Sequence, residues 1–430
     1  MTLSRSTQFG FYILFGAASS SAGAAGYALI EQSVTGLGRA FSGSTAVADD
    51  ASTIFFNPAG LTNLSRKEMN MGVNLISPRA EFSDRGSNAN GTPLSGGNGN
   101  NAGELAMVPN FYYAHPLNDT TVVGIGVGAP FGLVTDYGDN WQGRYHAIRS
   151  DLLTININPS IAFKTTEKLS LGFGINLQYI DLELSQAANF GALTGASQQN
   201  DGRVRLTADD WSWGYNLGMT YQFTDATRLG ISYRSKISHE LTGDGEFRIP
   251  QNVSGQAAAA GFQDGKISGR VTLPESASIA LHHQLNSRWA VMADASWTRW
   301  SRFEELRINS DVDRLNSVKA EDWENSMRYG LGLEYQANER WSWRTGVAYD
   351  ETPVPNAQRR TPRIPDSDRT WLSLGASYYY SDNIILDAAY THMFMKDTSI
   401  DDTDSNGNQL VGRYKNSVDI VAVQLRWLFD

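Results

Sequence analysis

The 430-residue sequence contains no cysteine. This absence excludes disulfide frameworks, thiolate metal sites and thiol nucleophiles together. Charged residues make up only 19% of the chain, and the net charge is −10 without a basic stripe, which argues against a nucleic-acid partner. Beyond the first two dozen residues, no apolar run approaches the ~20 residues that a membrane-spanning helix needs.

The sequence also lacks a defensible catalytic or metal-binding group. His282 and His283 are adjacent, so they face opposite sides of a strand and cannot share a metal ion. The stretch 402–407 resembles the first half of a calcium loop, but Arg413 stands where a bidentate glutamate is needed, which favours an outer-loop turn. No Ser/His/Asp grouping is present. We therefore predict that the chain is not an enzyme and uses no cofactor or metal ion.

Residues 1–24 are typical of a secretory signal peptide. Arg5 supplies the positive start, residues 9–18 form a short apolar core, and residues 22–24 offer a small-x-small cleavage site. Ala25 is then the first mature residue. A short buried strand or helix is the alternative, which we disfavour because all three signal regions occur in the expected order.

From Lys67 onward, long segments alternate apolar and polar residues. One apolar face consists of Leu169, Leu171, Phe173, Ile175, Leu177 and Tyr179, and it opposes Ser170, Gly172, Gly174, Asn176 and Gln178. A period of two indicates strands with unlike faces. Many apolar faces begin and end in an aromatic residue, as at Trp289 and Trp297. Aromatic residues at both ends are typical of transmembrane strands, because amphipathic rings settle at the two lipid–water interfaces.

About fourteen such segments reach the ~9–11 residues of a spanning strand. Their predicted bounds are 67–77, 106–116, 120–135, 152–165, 168–185, 210–223, 226–241, 269–285, 287–303, 325–337, 340–352, 369–381, 383–397 and 413–429. Short and long connections alternate, as the short periplasmic turns and long outer loops of outer-membrane barrels do. The sequence therefore predicts an all-β fold: a 14-stranded antiparallel transmembrane β-barrel over residues 67–430, in the outer membrane of a Gram-negative bacterium.

Residues 25–66 are rich in Gly, Ala and Ser and show no clean helical or strand period. A barrel in lipid must close, because an open sheet edge leaves backbone groups unpaired. At this strand number the lumen is too wide for wall side chains to fill. Since an even strand count puts both termini on the periplasmic side, we predict that residues 25–66 fold back into the lumen as a hatch.

Several short blocks of the sequence, which follow one another in the same order as in the family, resemble the FadL family of outer-membrane transporters for long-chain fatty acids and other hydrophobic compounds. The matching blocks are 25–27, 33–43, 48–51, 57–59, 273–275, 297–301, 344–350, 353–355, 364–369 and 371–373. They span nearly the whole mature chain. The resemblance implies a fourteen-stranded barrel with an N-terminal hatch, which agrees with the strand count. It also implies that ligand passes from the outer loops to an internal pocket, and that the hatch then shifts.

In this family, cargo leaves sideways beside a kinked third strand. Here Pro130 and Gly132 interrupt the third predicted strand, since Pro removes a ladder donor and Gly marks a bend. A kink that only eases curvature is the alternative. Asn57, Pro58 and Ala59 form a turn sequence, and the resemblance implies that they anchor the hatch to the barrel.

The resemblance also implies a set of ligand-binding residues. Tyr27 stands where a family aromatic contacts the ligand chain, and Lys319 aligns with a basic residue that binds the carboxylate. A solvated loop lysine is the alternative for Lys319. Gln186, with Leu184 as an apolar neighbour, stands where a second basic residue is found in the best-known member. Because two cations hold a carboxylate better than one, we expect this pocket to favour neutral or weakly polar hydrophobes.

We therefore expect passive transport of long-chain fatty acids or other hydrophobic small molecules by a monomer. The barrel would contact outer-membrane lipid and lipopolysaccharide. A general diffusion porin and a surface adhesin or receptor are the alternatives. Asp430 is a small departure from barrels that end on an aromatic residue, and it bears on assembly efficiency.

Overall fold

Antiparallel strands close into a barrel of fourteen strands in the computed structural model, which describes residues 25–429. The predicted signal peptide and Asp430 lie outside the described residues. The first and last strands pair with each other, with Lys67 opposite Phe429 and Asp84 opposite Gly412. The ring therefore has no open edge there, as a sheet in lipid requires. The predicted fold class is confirmed.

We number the barrel strands β1 to β14 in chain order. The unbroken strands are β1 (Lys67–Asp84), β2 (Ala106–Asn118), β4 (Arg149–Lys164), β5 (Leu169–Asn189), β6 (Asp201–Thr224), β9 (Trp289–Thr298), β11 (Trp341–Asp350), β12 (Arg369–Tyr379), β13 (Ile384–Met395) and β14 (Asn408–Phe429). Those in two segments are β3 (Thr121–Gly128 and Gly132–Asp136), β7 (Thr227–Arg234 and Ile237–Arg248), β8 (Gly265–Leu273 and Ser276–Gln284) and β10 (Ser317–Ala320 and Ser326–Asn338).

Several strands continue beyond the predicted bounds at the long-loop end of the barrel. β5 and β6 pair up to Asn189 opposite Asp201, although residues 186–209 were predicted as a loop. Likewise, the strand Thr398–Thr403 pairs with β14 inside the predicted loop 398–412. These predicted bounds are wrong because the extensions leave the lipid. There the outward residues need not be apolar, so the alternation that marks a membrane strand disappears.

The loops carry short elements of their own. These are the strands Asn88–Ala89, Thr92–Pro93 and Glu305–Asn309, the helix Ser254–Ala259, and the 3₁₀ turns Phe190–Thr194, Gln251–Val253, Trp300–Arg302 and Asp313–Leu315. No helix within residues 25–429 is long and apolar enough to cross a membrane.

The strand faces divide as the alternation predicts. On β5, Leu171, Phe173 and Leu177 are exposed on the outside, whereas Asn176 and Gln178 are buried. A band of exposed apolar residues is suited to contact with lipid, while the polar inner face needs hydrogen-bond partners inside the barrel. Residues 25–64 provide some of those partners.

Residues 25–64, here called the N-terminal segment, lie inside the ring of strands. The segment contains the helices α1 (Val34–Leu37), α2 (Ser44–Val47) and α3 (Thr53–Phe56), followed by a 3₁₀ helix, Pro58–Asn63. Helix α1 packs on β12 to β14, α2 on β7 to β9, and the 3₁₀ helix on β3 to β6. Small residues allow this close packing: a Cβ on Gly38 would lie 2.9 Å from the Cα of Gly375 on the barrel wall.

Candidate functional site

The barrel wall has a gap between β2 and β3. Their ladder ends at Phe111 opposite Val127, and the strands meet again at a bridge between Gly103 and Thr135. Pro130 lies in this interval, where it offers no backbone N–H to β2. The predicted kink at Pro130 and Gly132 therefore coincides with a break in the wall.

The N-terminal segment bonds to the backbone groups that the kink turns inward. The N–H of Leu29 donates to the Pro130 carbonyl at 2.8 Å, and the Gly132 N–H donates to the Tyr27 carbonyl at 3.0 Å. The Gln32 side-chain nitrogen donates to the Ala129 carbonyl at 2.8 Å. Buried backbone groups need partners. Here the segment supplies them instead of β2, so the segment and the kinked strand are joined directly.

Asn57 connects the N-terminal segment to the barrel wall. Its side-chain nitrogen donates to the carbonyls of Thr45, at 2.7 Å, and of Met219 on β6, at 3.0 Å. Its side-chain oxygen accepts from the N–H of Ala59 at 3.1 Å and caps the 3₁₀ helix. Pro58 and Ala59 press against two wall glycines, Gly172 and Gly218. The three predicted anchor residues thus lie together against β5 and β6.

Charged residues surround another part of the segment. Arg39 forms an ion pair with Asp49 at 2.9 Å and lies 3.8 Å from Glu334 on β10. Glu334 in turn pairs with Arg344 on β11 at 3.3 Å. Paired buried charges are costly to separate from one another. This network ties the N-terminal segment to the wall opposite the Asn57 contact.

Tyr27 lies in a cluster of aromatic rings. Its ring centroid is 4.9 Å from that of Trp300, 5.7 Å from Phe303, 5.8 Å from Trp323 and 6.0 Å from Phe131. The ring is almost fully buried, and burial raises the pKa of the Tyr27 hydroxyl. That hydroxyl has no hydrogen-bond partner among the described residues. The cluster is an apolar partition near the middle of the barrel.

A cavity of about 50 Å³ lies on the long-loop side of this partition. We call it the outer cavity, and its apolar lining comprises Leu133, Leu152, Leu182, Leu184, Val271, Leu306 and Ile364. Tyr27 and Phe303 close its floor. Two predicted ligand-binding residues, Tyr27 and Leu184, therefore share one space. Its apolar lining suits a hydrophobic ligand.

A larger cavity of about 160 Å³, here the inner cavity, lies across the partition. Phe131 and Trp300, both members of the aromatic cluster, line it. So does Pro130, beside the gap between β2 and β3. Because rings of one cluster line both cavities, moving those rings would join the two spaces.

A cation lies beside Gln186. It is the side chain of Arg363, which comes from the loop between β11 and β12. The Arg363 guanidinium donates to the Gln186 side-chain oxygen at 2.7 Å and to the Ser150 hydroxyl at 3.0 Å. It lines the outer cavity, and among residues 25–429 its hydrogen-bond partners are neutral groups rather than carboxylates. Burial lowers the pKa of Arg363 to about 10, so the group is charged at neutral pH.

Lys319 lies outside the lining of the outer cavity. Its ammonium group is ion-paired with Asp402, and the ring of His146 lies 3.1 Å from the other oxygen of that carboxylate. The Lys319 side chain is 31% exposed. Lys319 is a partly exposed residue on the outer segment of β10 with its own counter-ion, and the structure does not bring it together with Tyr27 and Leu184.

Glu321, two residues further along the chain, does line the outer cavity. Burial raises the pKa of Glu321 to about 8, against the lowering influence of Lys319, so this carboxyl is neutral at pH 7. Asp151, also in the lining, is paired with Arg149 at 2.7 Å. Arg363 is therefore a cation of the lining without an ion-pair partner, and the more distant carboxylate of Asp402 attracts its charge.

Sequence reasoning missed Arg363 and Glu321. The only available signal for Arg363 was its place within a loop that carries matching family blocks on both sides. No group of three potential metal-binding side chains is found in the part of the chain that the structure describes.

Comparison with known proteins gives a match over almost the whole sequence. Residues 15–429 match the family described as outer membrane protein transport protein (OMPP1/FadL/TodX). A long-chain fatty acid transport protein of Escherichia coli O6:H1 is 31% identical over 399 residues, which cover 87% of this chain and 88% of that protein.

Solved structures agree with the sequence match. A Pseudomonas aeruginosa FadL homologue superposes with a TM-score of 0.89 at 27% identity, covering 94% of this chain and all of the other. The toluene transporter TodX of P. putida gives a TM-score of 0.66 at 18% identity, covering 88% of this chain and 94% of that one. At that identity the likeness to TodX shows the fold alone.

Proposed function

Because the chain belongs to the OMPP1/FadL/TodX family of outer membrane transport proteins, we propose that it carries hydrophobic molecules passively across the outer membrane. The family consists of transporters rather than enzymes, and its members are outer-membrane β-barrels. The proposed cargo is a long-chain fatty acid or a related hydrocarbon. The proposed route runs through the outer cavity, past a moving N-terminal segment, and out sideways through the wall.

The observation that carries this proposal is the order of spaces inside the barrel. The outer cavity meets the aromatic cluster at Tyr27, and the inner cavity begins on the other side at Phe131 and Trp300. The inner cavity reaches Pro130 at the gap between β2 and β3. A hydrophobic chain can thus move from the apolar outer cavity, past the aromatic cluster, to the inner cavity and the gap. The inner cavity is also lined by polar side chains such as Asp294 and Arg328, so burial of the chain favours the outer cavity and the lipid at the two ends of this route.

Arg363 changes the expected cargo. The sequence predicted a preference for neutral hydrophobes because Gln186 replaces a basic residue, but Arg363 places a guanidinium at that side chain. A buried cation that forms no ion pair is costly, and a ligand carboxylate supplies a partner with two strong hydrogen bonds. We therefore favour cargo with a carboxylate at one end and an apolar chain, which would lie along Leu184 and Tyr27.

Release requires the N-terminal segment to leave the kinked strand. The hydrogen bonds to the carbonyls of Ala129 and Pro130 hold the segment behind the gap. When they break, the gap between β2 and β3 opens to the inner cavity. No nucleotide or metal is required by this sequence of steps, so transport runs downhill and is drawn by consumption of the cargo inside the cell.

Uptake by a deletion strain tests the proposal. Cells lacking the protein should take up a radiolabelled long-chain fatty acid several-fold more slowly, and the restored gene should recover the rate. Equal uptake by the two strains of both the fatty acid and a labelled alkane would overturn the proposal.

A general diffusion porin makes a different prediction for conductance. An open porin shows large, steady single-channel openings. The N-terminal segment fills the ring from the Asn57 anchor to the Arg39 ion pairs, so we expect small and infrequent openings in a planar bilayer.

A further inference from the structure

The wall has a second interruption, between β6 and β7. Their ladder stops at the pair Asn216–Arg234 and resumes at the pair Asp209–Thr242. The residues between these pairs, 210–215 on β6 and 235–241 on β7, are here called the β6–β7 gap. The gap coincides with the point where β7 divides into two segments. The neighbouring strand β8 is interrupted at the same level. On the short-turn side of the interruption Arg234 pairs with Ser276, and on the long-loop side Ile237 pairs with Leu273.

Side chains join the two edges of this gap. The Ser212 hydroxyl donates to the Ser238 carbonyl at 2.7 Å. One oxygen of Asp210 accepts from the Glu240 N–H at 3.2 Å and lies 3.0 Å from the His239 ring nitrogen. At the lower end of the gap, the Ser235 N–H donates to the Tyr215 carbonyl at 2.8 Å, and the Tyr215 N–H donates to the Ser235 hydroxyl at 2.8 Å. These bonds lie outside a regular ladder, so separating the edges disrupts less than separating a continuous ladder.

The outer surface at the gap is aromatic and exposed. Trp211 is 59% and Trp213 67% exposed, and both belong to β6 within the gap. Tyr215 stands about nine residues from the short turn, which at about 3.4 Å per residue and a tilt of about 40° is roughly 23 Å. The apolar band of such barrels is about 25 Å tall. The gap therefore lies at the outer rim of the lipid, where tryptophan is favoured.

Apolar space lies directly behind the gap. Leu241 within the gap and Ala208 just above it line a small cavity of about 20 Å³, which we call the apolar groove. The groove shares Leu182 and Leu184 with the outer cavity. At the lower edge, Arg234 lines the inner cavity. The side chain of Ile237 packs over Gly214, with a Cβ on that glycine only 2.7 Å from Ile237 Cγ1.

We propose that the β6–β7 gap is a lateral inlet, through which hydrophobic molecules dissolved in the outer leaflet enter the apolar groove and then the outer cavity. The inlet rests on the proposed transport function, because a molecule that enters needs the same onward route. It takes apolar chains or aromatic hydrocarbons that partition into lipid, and separation of Ser212 from Ser238 opens it. Water-borne cargo reaches the outer cavity from the long loops instead.

A reversible cross-link tests the inlet. Because the chain has no cysteine, Asp210→Cys combined with His239→Cys introduces two thiols at side chains that touch across the gap, with the Asp210 oxygen 3.0 Å from the His239 ring nitrogen. The matched control, Thr207→Cys with Asp244→Cys, links a directly opposed pair on the same strands above the gap. The probe is a pyrene-labelled alkane, either dissolved beforehand in the outer leaflet of whole cells or delivered from water on a carrier protein.

Oxidation of the Asp210/His239 variant should reduce uptake from the leaflet at least fivefold, and a reducing agent should restore it. Oxidation of the control variant should leave the rate unchanged. Equal rates before and after confirmed cross-linking at the gap would overturn the inlet. If wild-type cells take up no more probe than cells lacking the protein, whichever way the probe is delivered, the proposed transport function is wrong. The inlet, which rests on that function, is then wrong as well.

Photolabelling of the unmodified protein gives an independent reading. A diazirine-bearing alkane dissolved in the membrane should form adducts on the buried residues Ile237 and Leu241 as well as on Trp211 and Trp213. Adducts confined to the exposed tryptophans would contradict entrance of the probe through the wall.

Discussion

The guanidinium of Arg363 donates a 2.7 Å hydrogen bond to the side-chain oxygen of Gln186. The two residues are far apart in the chain, on a loop after β11 and at the outer end of β5. A glutamine at this position therefore orients a cation instead of removing one. This single contact changes the expected polar end of the cargo from neutral to anionic.

Replacement of Arg363 tests that assignment. The Arg363→Ala variant should bind a long-chain fatty acid roughly 10- to 100-fold more weakly, because hydrogen bonds to charged groups contribute about 1.5–3 kcal/mol. Affinity for an alkane of equal length should change little. Titration of the detergent-solubilised protein with radiolabelled ligand measures both. Lys319→Ala is the matched control and should leave fatty-acid affinity within about threefold. The opposite ranking of the two variants would contradict the role of Arg363.

Fatty-acid binding should weaken as pH rises above 8. Burial raises the pKa of Glu321 to about 8, so its neutral form predominates below that value and its charged form above it. Ionisation places a negative charge in the same cavity as the ligand carboxylate, and like charges repel. Binding constants measured between pH 6 and 9 should fall through this range. The Glu321→Gln variant should lose this dependence, and an unaltered pH profile in the variant would rule out Glu321 as its cause.

Packing of the N-terminal segment should loosen as pH rises through neutrality. Burial raises the pKa of Glu31 from 4.5 to about 7, and its carboxylate oxygens have no hydrogen-bond partner among the described residues. A pKa raised in the folded state stabilises packing at pH values below the unfolded pKa, and this contribution is lost as pH rises through the folded pKa. Hydrogen exchange of residues 27–32, corrected for intrinsic rates, should be faster at pH 8.5 than at pH 5.5.

Glu31→Gln provides the control for this effect. The amide cannot ionise, so corrected exchange in this variant should be the same at both pH values. Persistence of the full pH dependence in the variant would assign it to another group.

A methyl group on Gly218 should disturb the Asn57 contact. A Cβ there would lie 2.0 Å from the Asn57 side-chain oxygen and 2.9 Å from the Ala59 nitrogen. Forcing an extra methyl into a packed site typically costs about 1–3 kcal/mol. We expect Gly218→Ala to increase protease cleavage within residues 25–64 and to enlarge channel openings. Gly255→Ala, at a site with no atom within 4 Å, should match the wild type in both assays.

The sequence alone predicts the barrel strands because contact with lipid restricts which residues can face outward. Outward residues such as Leu171 and Phe173 must be apolar, and the resulting period of two locates each spanning strand. Above the membrane that rule ends, so the outer extensions of β5 and β6 were missed. Resemblance identified Tyr27 and Leu184, which share the outer cavity. It did not identify Arg363, because the path of a loop across the barrel mouth leaves no periodic signal in sequence.

Lys319 illustrates the same limit. The family resemblance places the basic residue Lys319 near the outer end of β10. The structure shows that Lys319 forms an ion pair with Asp402, which is distant in the sequence. Local sequence also gave no indication of the β6–β7 gap, since Trp211 and Trp213 continue the alternation without interruption.

Tethering the N-terminal segment to the kinked strand tests the central claim most directly. Ala28 and Phe131 form a bridged antiparallel pair. Such a pair, flanked by hydrogen bonds rather than joined by them, has Cα atoms about 4.5 Å apart, within the range of a disulfide. Cells carrying Ala28→Cys with Phe131→Cys should take up radiolabelled fatty acid only when a reducing agent is present. Equal uptake by the oxidised and reduced protein, with the disulfide confirmed by mass spectrometry, would contradict transport through movement of this segment.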